Sequence, residues 1–178
     1  MPLRVGDVAP DFELYDTDLR LVRLRDLLAQ GRIVVLAFFP GAFTSVCTNE
    51  MCAFRDRMAL LEKANATVVA ISVDSPSTLK RFKEVNRLNF TLLSDYNREV
   101  VKLYGVHYSL PIPIIGRLAM VAKRSVFILT PPDGRIEYIW ISDNPMREPN
   151  YEEIVKVANE LAAKLARNPD NPQHPTSL

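Results

Sequence analysis

The chain has 178 residues, of which 48% are hydrophobic and 24% charged, and its formal net charge is +1. That length is enough to bury a real core, and it reads as one domain over residues 1–167 with a Pro- and Asn-rich, flexible C-terminal tail over 168–178. The balanced charge excludes a strongly basic nucleic-acid surface, and no apolar run reaches the ~20 residues of a membrane helix.

The first residues, Met1 to Asp7, lack the apolar core of a signal peptide, so a cytoplasmic protein is expected. The two cysteines, Cys47 and Cys52, are too few to staple a scaffold. In a reducing compartment a close pair reads as catalytic or metal-binding.

Asp11 to Leu14 and Leu21 to Leu24 alternate in polarity, as in an N-terminal hairpin. Ile33 to Phe39 is apolar throughout and predicts a central strand covered on both faces. Pro40 ends it, having no N–H to offer a ladder. A helix then begins near Thr44, with Cys47, Met51, Phe54, Met58 and Leu61 forming one apolar stripe. Thr67 to Val73 is a second buried strand. Asp74-Ser75-Pro76-Ser77 starts a helix running to about Arg87, with Leu79, Phe82 and Val85 periodic. Phe90 to Leu93 reads as a short strand, and Tyr96 to Tyr104 as a short helix closed by Gly105.

Leu110 to Gly116 is apolar yet broken by Pro111 and Pro113, so no regular strand is expected there. It reads as a lining for a pocket or interface, or as a covered loop. Ser125 to Leu129 and Ile136 to Ile141 flank the turn Pro131-Pro132-Asp133-Gly134 and predict a hairpin. The last helix starts near Asn150, paired with Glu153 as in a capping box, with Ile154, Val157, Leu161 and Leu165 facing inward. Strands alternating with helices, plus a terminal hairpin, imply an α/β sandwich around a mixed sheet.

Chemistry concentrates at the turn between the Ile33–Phe39 strand and the next helix. A cysteine in a first helical turn faces unpaired backbone N–H groups and the positive end of the helix dipole. Both favour the thiolate, which is the nucleophile. Cys47 also lies on the apolar stripe, so it fits an inert core cysteine as well as a reactive one. Cys52 is five residues on, about 140° round the helix. On an intact helix the two Cα atoms stand roughly 8–9 Å apart, beyond the ~7 Å that a disulfide spans. A disulfide therefore needs local unwinding, whereas a merely structural Cys52 needs none. His107 and His174 stand outside any recognisable motif, and the spacing of Cys and His does not suit zinc. No metal and no cofactor are expected.

Pro40-Gly41-Ala42-Phe43-Thr44-Ser45-Val46-Cys47 matches the motif Pro-x-x-x-Thr-x-x-Cys and resembles the peroxiredoxins. Glu50, Phe54-Arg55-Asp56, the opening Gly6-Asp7-Val8-Ala9-Pro10-Asp11-Phe12 and the strand Arg124 to Leu129 with Asp133-Gly134 extend the resemblance over residues 5 to 165. A second thiol five residues after the first is similar to the Q-type group, or bacterioferritin comigratory proteins. The resemblance implies a thioredoxin-like fold, a central mixed β-sheet flanked by helices with an N-terminal β-hairpin extension. It implies a thiol peroxidase acting on hydrogen peroxide and organic hydroperoxides. Cys47 is then the peroxidatic thiolate, Arg124 the group that steadies it, Thr44 a hydrogen-bonding partner of the peroxide, and Pro40 the shelter of the pocket. Glu50 orients Arg124, and Arg147 is a second arginine that reaches the site or an interface. Cys52 is the resolving thiol of an intramolecular disulfide, which a thioredoxin-like or glutaredoxin-like protein reduces. A monomer or homodimer is implied. Two other readings stay open: a one-cysteine peroxidase with Cys52 structural, and a thioredoxin-like disulfide oxidoreductase.

Overall fold

The computed structural model describes residues 2–112 and 116–167. The tail expected over 168–178, which includes His174, lies outside the described residues. Near the N-terminus, β1 (Glu13–Asp16) and β2 (Leu21–Arg23) form the expected antiparallel hairpin. Next come α1 (Leu24–Ala29), β3 (Ile33–Phe38), α2 (Ser45–Lys63), β4 (Ala66–Ser72), α3 (Pro76–Asn86), β5 (Thr91–Ser94) and α4 (Glu99–Leu103). The chain continues as β6 (His107–Ile112), β7 (Gly116–Ala122), β8 (Ser125–Thr130), β9 (Arg135–Ile141) and α5 (Tyr151–Ala166).

The main sheet runs β2-β1-β5-β4-β3-β8-β9. Its centre, β3-β4-β5, is parallel, and β8, β9 and the N-terminal hairpin add antiparallel strands on either side. The sheet is mixed and covered on both faces, which is why β3 needs no polar residue. Ile33, Val35, Ala37 and Phe39 meet α2, α3 and α5 on one face. Val34, Leu36 and Phe38 meet α1, α4 and β7 on the other. The α2 stripe is as expected: Cys47, Met51, Phe54, Met58 and Leu61 are all buried. In α5, Ile154 and Leu161 are buried and Val157 and Leu165 pack half-buried against the same core.

Four expectations need correcting. Leu110 to Gly116 is not strand-free: β6 and β7 form a separate antiparallel ribbon, with Pro111 paired opposite Arg117. Each strand of a two-stranded ribbon keeps one free edge, where a missing N–H breaks nothing. A short helix, α1, follows the hairpin directly; its buried Leu24 and Leu28 are a single i,i+4 pair, too brief to show as a period. In α3, Leu79 and Phe82 face the core, but Val85 is exposed, because six residues on from Leu79 it lies about 120° round the helix.

The fourth correction concerns α4, which starts at Glu99 rather than Tyr96. Asp95 explains the shift. Its buried carboxylate accepts from the backbone N–H of Glu99 and Val100 at 3.1 Å each, and of Val101 at 2.8 Å. It thereby satisfies three of the four donors that a helix start leaves free. Asp95→Ala strands those donors in a buried setting and should lower stability by about 2–4 kcal/mol. Urea unfolding of the reduced protein measures this, and a loss under ~1 kcal/mol would show that water replaces the carboxylate.

Candidate active site

The pairing of β3 with β8 builds the site. Phe38, the last residue of β3, lies opposite Ser125, the first of β8. The turn that follows β3 therefore sits beside the residue that precedes β8, which is Arg124. Residues 74 and 77 positions apart in sequence meet as a result.

The turn itself is held from several directions. Pro40 is buried. Ala42 donates its N–H to Asp74 Oδ2 at 2.8 Å, and Ser72 Oγ donates to the same oxygen at 2.7 Å. Phe43 adopts a positive φ of 64°, and its ring packs edge-on against Phe82 with centroids 5.2 Å apart. Thr44 is the N-cap of α2, but its hydroxyl does not cap the helix; it donates to Gly41 O at 2.8 Å. The first intrahelical bond runs from Thr48 N to Thr44 O. The N–H groups of Ser45, Val46 and Cys47 thus precede the helical ladder, with no side chain capping them.

Cys47 is the third residue of α2 and 1% exposed. Arg124, also 1% exposed, donates from Nη2 to its sulfur at 3.2 Å. The same nitrogen donates to Pro145 O at 2.8 Å, and Nη1 donates to Glu50 Oε1 at 3.0 Å. Glu50 is fully buried one helical turn after Cys47. Burial pushes its carboxyl from an ordinary 4.5 up to about 7, against the pull of Arg124. Burial also opposes the charge on Arg124, but Glu50 and then Cys47 hold its pKa above the ordinary arginine value. The two shifts are compatible: Arg124 contacts both Glu50 and Cys47, whereas Glu50 Oε2 has no hydrogen-bond partner among the described residues.

Among the described residues three buried side-chain polar atoms find no hydrogen-bond partner: Glu50 Oε2, Arg124 Nε and the Tyr108 hydroxyl. Tyr108, on β6, belongs to the same cluster of charges. Burial raises its pKa, with Arg124 opposing and Cys47 and Asp143 adding to the rise. Its sequence position, in a ribbon disguised by prolines, gave no hint of this.

The structure brings Pro40, Thr44, Cys47, Glu50 and Arg124 together around one turn. Arg147 stays outside: it is exposed, and its backbone N–H donates to Asn144 O. Its loop enters the cluster through the carbonyl of Pro145 instead. Cys52 faces α3, half-buried, its thiol 3.8 Å from Asn86 Oδ1. Both cysteines are free thiols. His107 stands exposed on β6. Among the described residues no three His, Cys, Asp or Glu side chains gather to hold a metal, and no helix is long and apolar enough to cross a membrane.

A buried thiol held by a guanidinium at an uncapped helix start can act as a nucleophile toward a small polarised bond. Comparisons with known proteins agree with that chemistry. Residues 5–139 match the AhpC/TSA family. Peroxiredoxin Bcp of Escherichia coli strain K12 is 36% identical over 159 residues, covering 86% of this chain and 94% of that protein. Peroxiredoxin Q, chloroplastic, of Oryza sativa subsp. japonica is 36% identical over 156 residues, covering 88% of this chain and 67% of that one. The crystal structure of peroxidoxin BcpB from Mycobacterium tuberculosis superposes with a TM-score of 0.75 at 31% identity, covering 89% of this chain and 97% of the other. The chain has the thioredoxin-like architecture of these proteins and belongs to the AhpC/TSA family as a peroxiredoxin, a thiol-dependent peroxidase similar to the Bcp and Q-type group.

Proposed function

We propose that Cys47 is the peroxidatic thiolate and that the 3.2 Å contact from Arg124 Nη2 is what readies it. The sulfur attacks one oxygen of hydrogen peroxide or an organic hydroperoxide. The O–O bond breaks, the sulfur gains the S–O bond of a sulfenic acid, and the other oxygen leaves as water or alcohol once protonated. Arg124 stabilises the negative charge on sulfur and on the departing oxygen. The free N–H groups of Val46 and Cys47 and the Thr44 hydroxyl cradle the peroxide, and Pro40 keeps water from the thiolate. Glu50 fixes the guanidinium at its other end. Arg147, exposed beside this loop, is left with a role only at an interface.

Cys52 then condenses with the oxidised Cys47 after the start of α2 unwinds, and a thioredoxin-like or glutaredoxin-like dithiol protein reduces the disulfide by exchange. A close cysteine pair suits a cycle run in a reducing compartment, the cytoplasm, and the family resemblance fits a monomer or homodimer. A second reading, the one-cysteine cycle, draws support from the direction of Cys52, whose thiol is turned to Asn86.

Mass spectrometry after one equivalent of hydrogen peroxide separates the two cycles. An intramolecular disulfide is expected in the wild type; a persistent sulfenic acid, or bonds only between chains, favours the one-cysteine cycle. Cys47→Ser should abolish peroxidase activity, whereas Cys52→Ser should keep it with a small-thiol reductant and lose it with thioredoxin. An active Cys47→Ser would overturn the assignment of the nucleophile.

Arg124→Ala removes the donor on sulfur and should slow peroxide reduction by about 10²-fold or more. Stopped-flow rates and the rate of Cys47 alkylation check this, and an unchanged pair of rates would take Arg124 out of the site.

Glu50 gives a pH signature. Its folded pKa, about 7, exceeds its ordinary 4.5, so between these values the native state binds more protons than the unfolded one. Its contribution is fully present below pH 4.5 and is lost as the pH rises through 7. The loss is on the order of 3 kcal/mol at most. Glu50→Gln should flatten this part of the stability–pH curve of the reduced protein, as read by urea unfolding at pH 5 to 8. A curve of the same slope in both proteins would show that Glu50 titrates in its ordinary range.

A further inference from the structure

Cys52 lies on the flank of α2 that meets α3. Its thiol donates to Asn86 Oδ1 at 3.8 Å. Asn86 is the last residue of α3, and its amide nitrogen donates to Phe82 O at 3.0 Å. That bond fixes the amide with its oxygen toward Cys52. The Asn86 carbonyl is one of the terminal carbonyls that a helix leaves without an internal partner. Arg55 Nη1 supplies one at 2.7 Å. A cation here also suits the negative end of the α3 dipole. Arg55 is itself braced, its Nε donating to Asp56 Oδ1 at 3.0 Å, and its carbonyl accepts from Asn89 Nδ2 at 3.5 Å.

Asn86 therefore grips α2 twice, and the two grips differ in strength. A thiol is a weak donor, and 3.8 Å is a loose bond. A guanidinium on a carbonyl at 2.7 Å is charge-assisted and strong. The weak grip falls on the residue that must travel, and the strong one falls three residues later.

We propose that Asn86 is a catch for the resolving step: its side chain retains Cys52 on α3 until Cys47 is oxidised, while Arg55, clamped to its carbonyl, stops the unwinding of α2 short of residue 55. This rests on the resolving role of Cys52 proposed above. In the step it governs, the Cys52 thiol leaves Asn86 and its sulfur attacks the sulfur of the Cys47 sulfenic acid. The S–O bond breaks as the S–S bond forms, and the hydroxyl departs as water with the proton of Cys52. Met58 and Leu61, beyond the stop, keep their places in the core throughout.

The test follows disulfide formation after one equivalent of hydrogen peroxide, by timed quenching, alkylation and intact mass. Asn86→Ala removes the acceptor but keeps the carbonyl, and should speed the step about 3–10-fold. Asn86→Asp offers a stronger acceptor and should slow it. Opposite signs at one position separate a catch from general loosening of the fold, which would move both variants the same way. Equal rates, or shifts in one direction, overturn the catch. If the wild type forms no intramolecular disulfide, the resolving role falls and the catch falls with it. If the wild type forms one at a rate that neither variant changes, only the catch falls. For the stop, hydrogen exchange of the oxidised protein should spread past residue 55 in Arg55→Gln and end before it in the wild type; the same boundary in both overturns the stop.

Discussion

Everything at this site depends on one buried guanidinium. Among the described residues Arg124 is one of the largest side chains with almost no solvent contact, and of those it alone carries a charge. Taking that charge out of water costs several kcal/mol unless partners surround it. The partners come from two separate stretches: Cys47 and Glu50 on α2, and Pro145 in the loop between β9 and α5. The backbone is drawn in as well, since Arg124 O accepts from Ser142 N at 3.0 Å. The strand order β4-β3-β8-β9 brings these pieces to one end of the sheet. A different neighbour for β3 would leave the same residues far apart and Arg124 without a reason to be inside.

The helix start works on the same terms. Thr44 has the right side chain to cap α2, yet its hydroxyl is bonded to Gly41. An absent cap weakens the first turn by about 1 kcal/mol. It also leaves the first N–H groups and the dipole facing the sulfur of Cys47. One local choice therefore supports two properties, a better anion site and a turn that is easier to unwind. Asp74 offsets part of that looseness by holding Ala42, so the turn before the helix stays placed while the helix start is free to give.

Much of this was legible in the sequence where one segment carries its own period. The apolar run of β3, the stripe of α2 and the hairpin of β8 and β9 needed no outside help. The position of Glu50 was a readable signal too. It falls between Cys47 and Phe54 on the buried stripe, and an acid there calls for a cation. Which cation could not be read from spacing, because Arg124 is 74 residues away and only the motif resemblance pointed to it. One polar contact to backbone was legible, the cap of α5 in which Asn150 Oδ1 accepts from Glu153 N at 3.1 Å, because both residues sit in one segment. The grips of Asp95, Asp74 and Asn86 depend on where another element ends in space, and no period in sequence encodes that. The ribbon of β6 and β7 was missed for a different reason: a proline such as Pro111 argues against a strand only where its N–H is needed, and a two-stranded ribbon leaves each strand an outer edge.

The charge count suggests why the helix start should hold before reaction and release after it. With Cys47 as a thiolate, Arg124 lies between two anions, and each contact anchors the first two turns of α2. On the proposed cycle the peroxide converts that thiolate into a neutral sulfenic acid. The 3.2 Å contact then loses its ionic character, while the guanidinium and the carboxylate of Glu50 remain as a pair. On that cycle the first turn, already uncapped, loses the charge on its contact to Arg124 at the moment its sulfur becomes the electrophile. No added signal is needed to time the release. On the proposed cycle oxidation itself weakens the contact between Arg124 and Cys47, and the weak bond between Cys52 and Asn86 is then the next contact to yield.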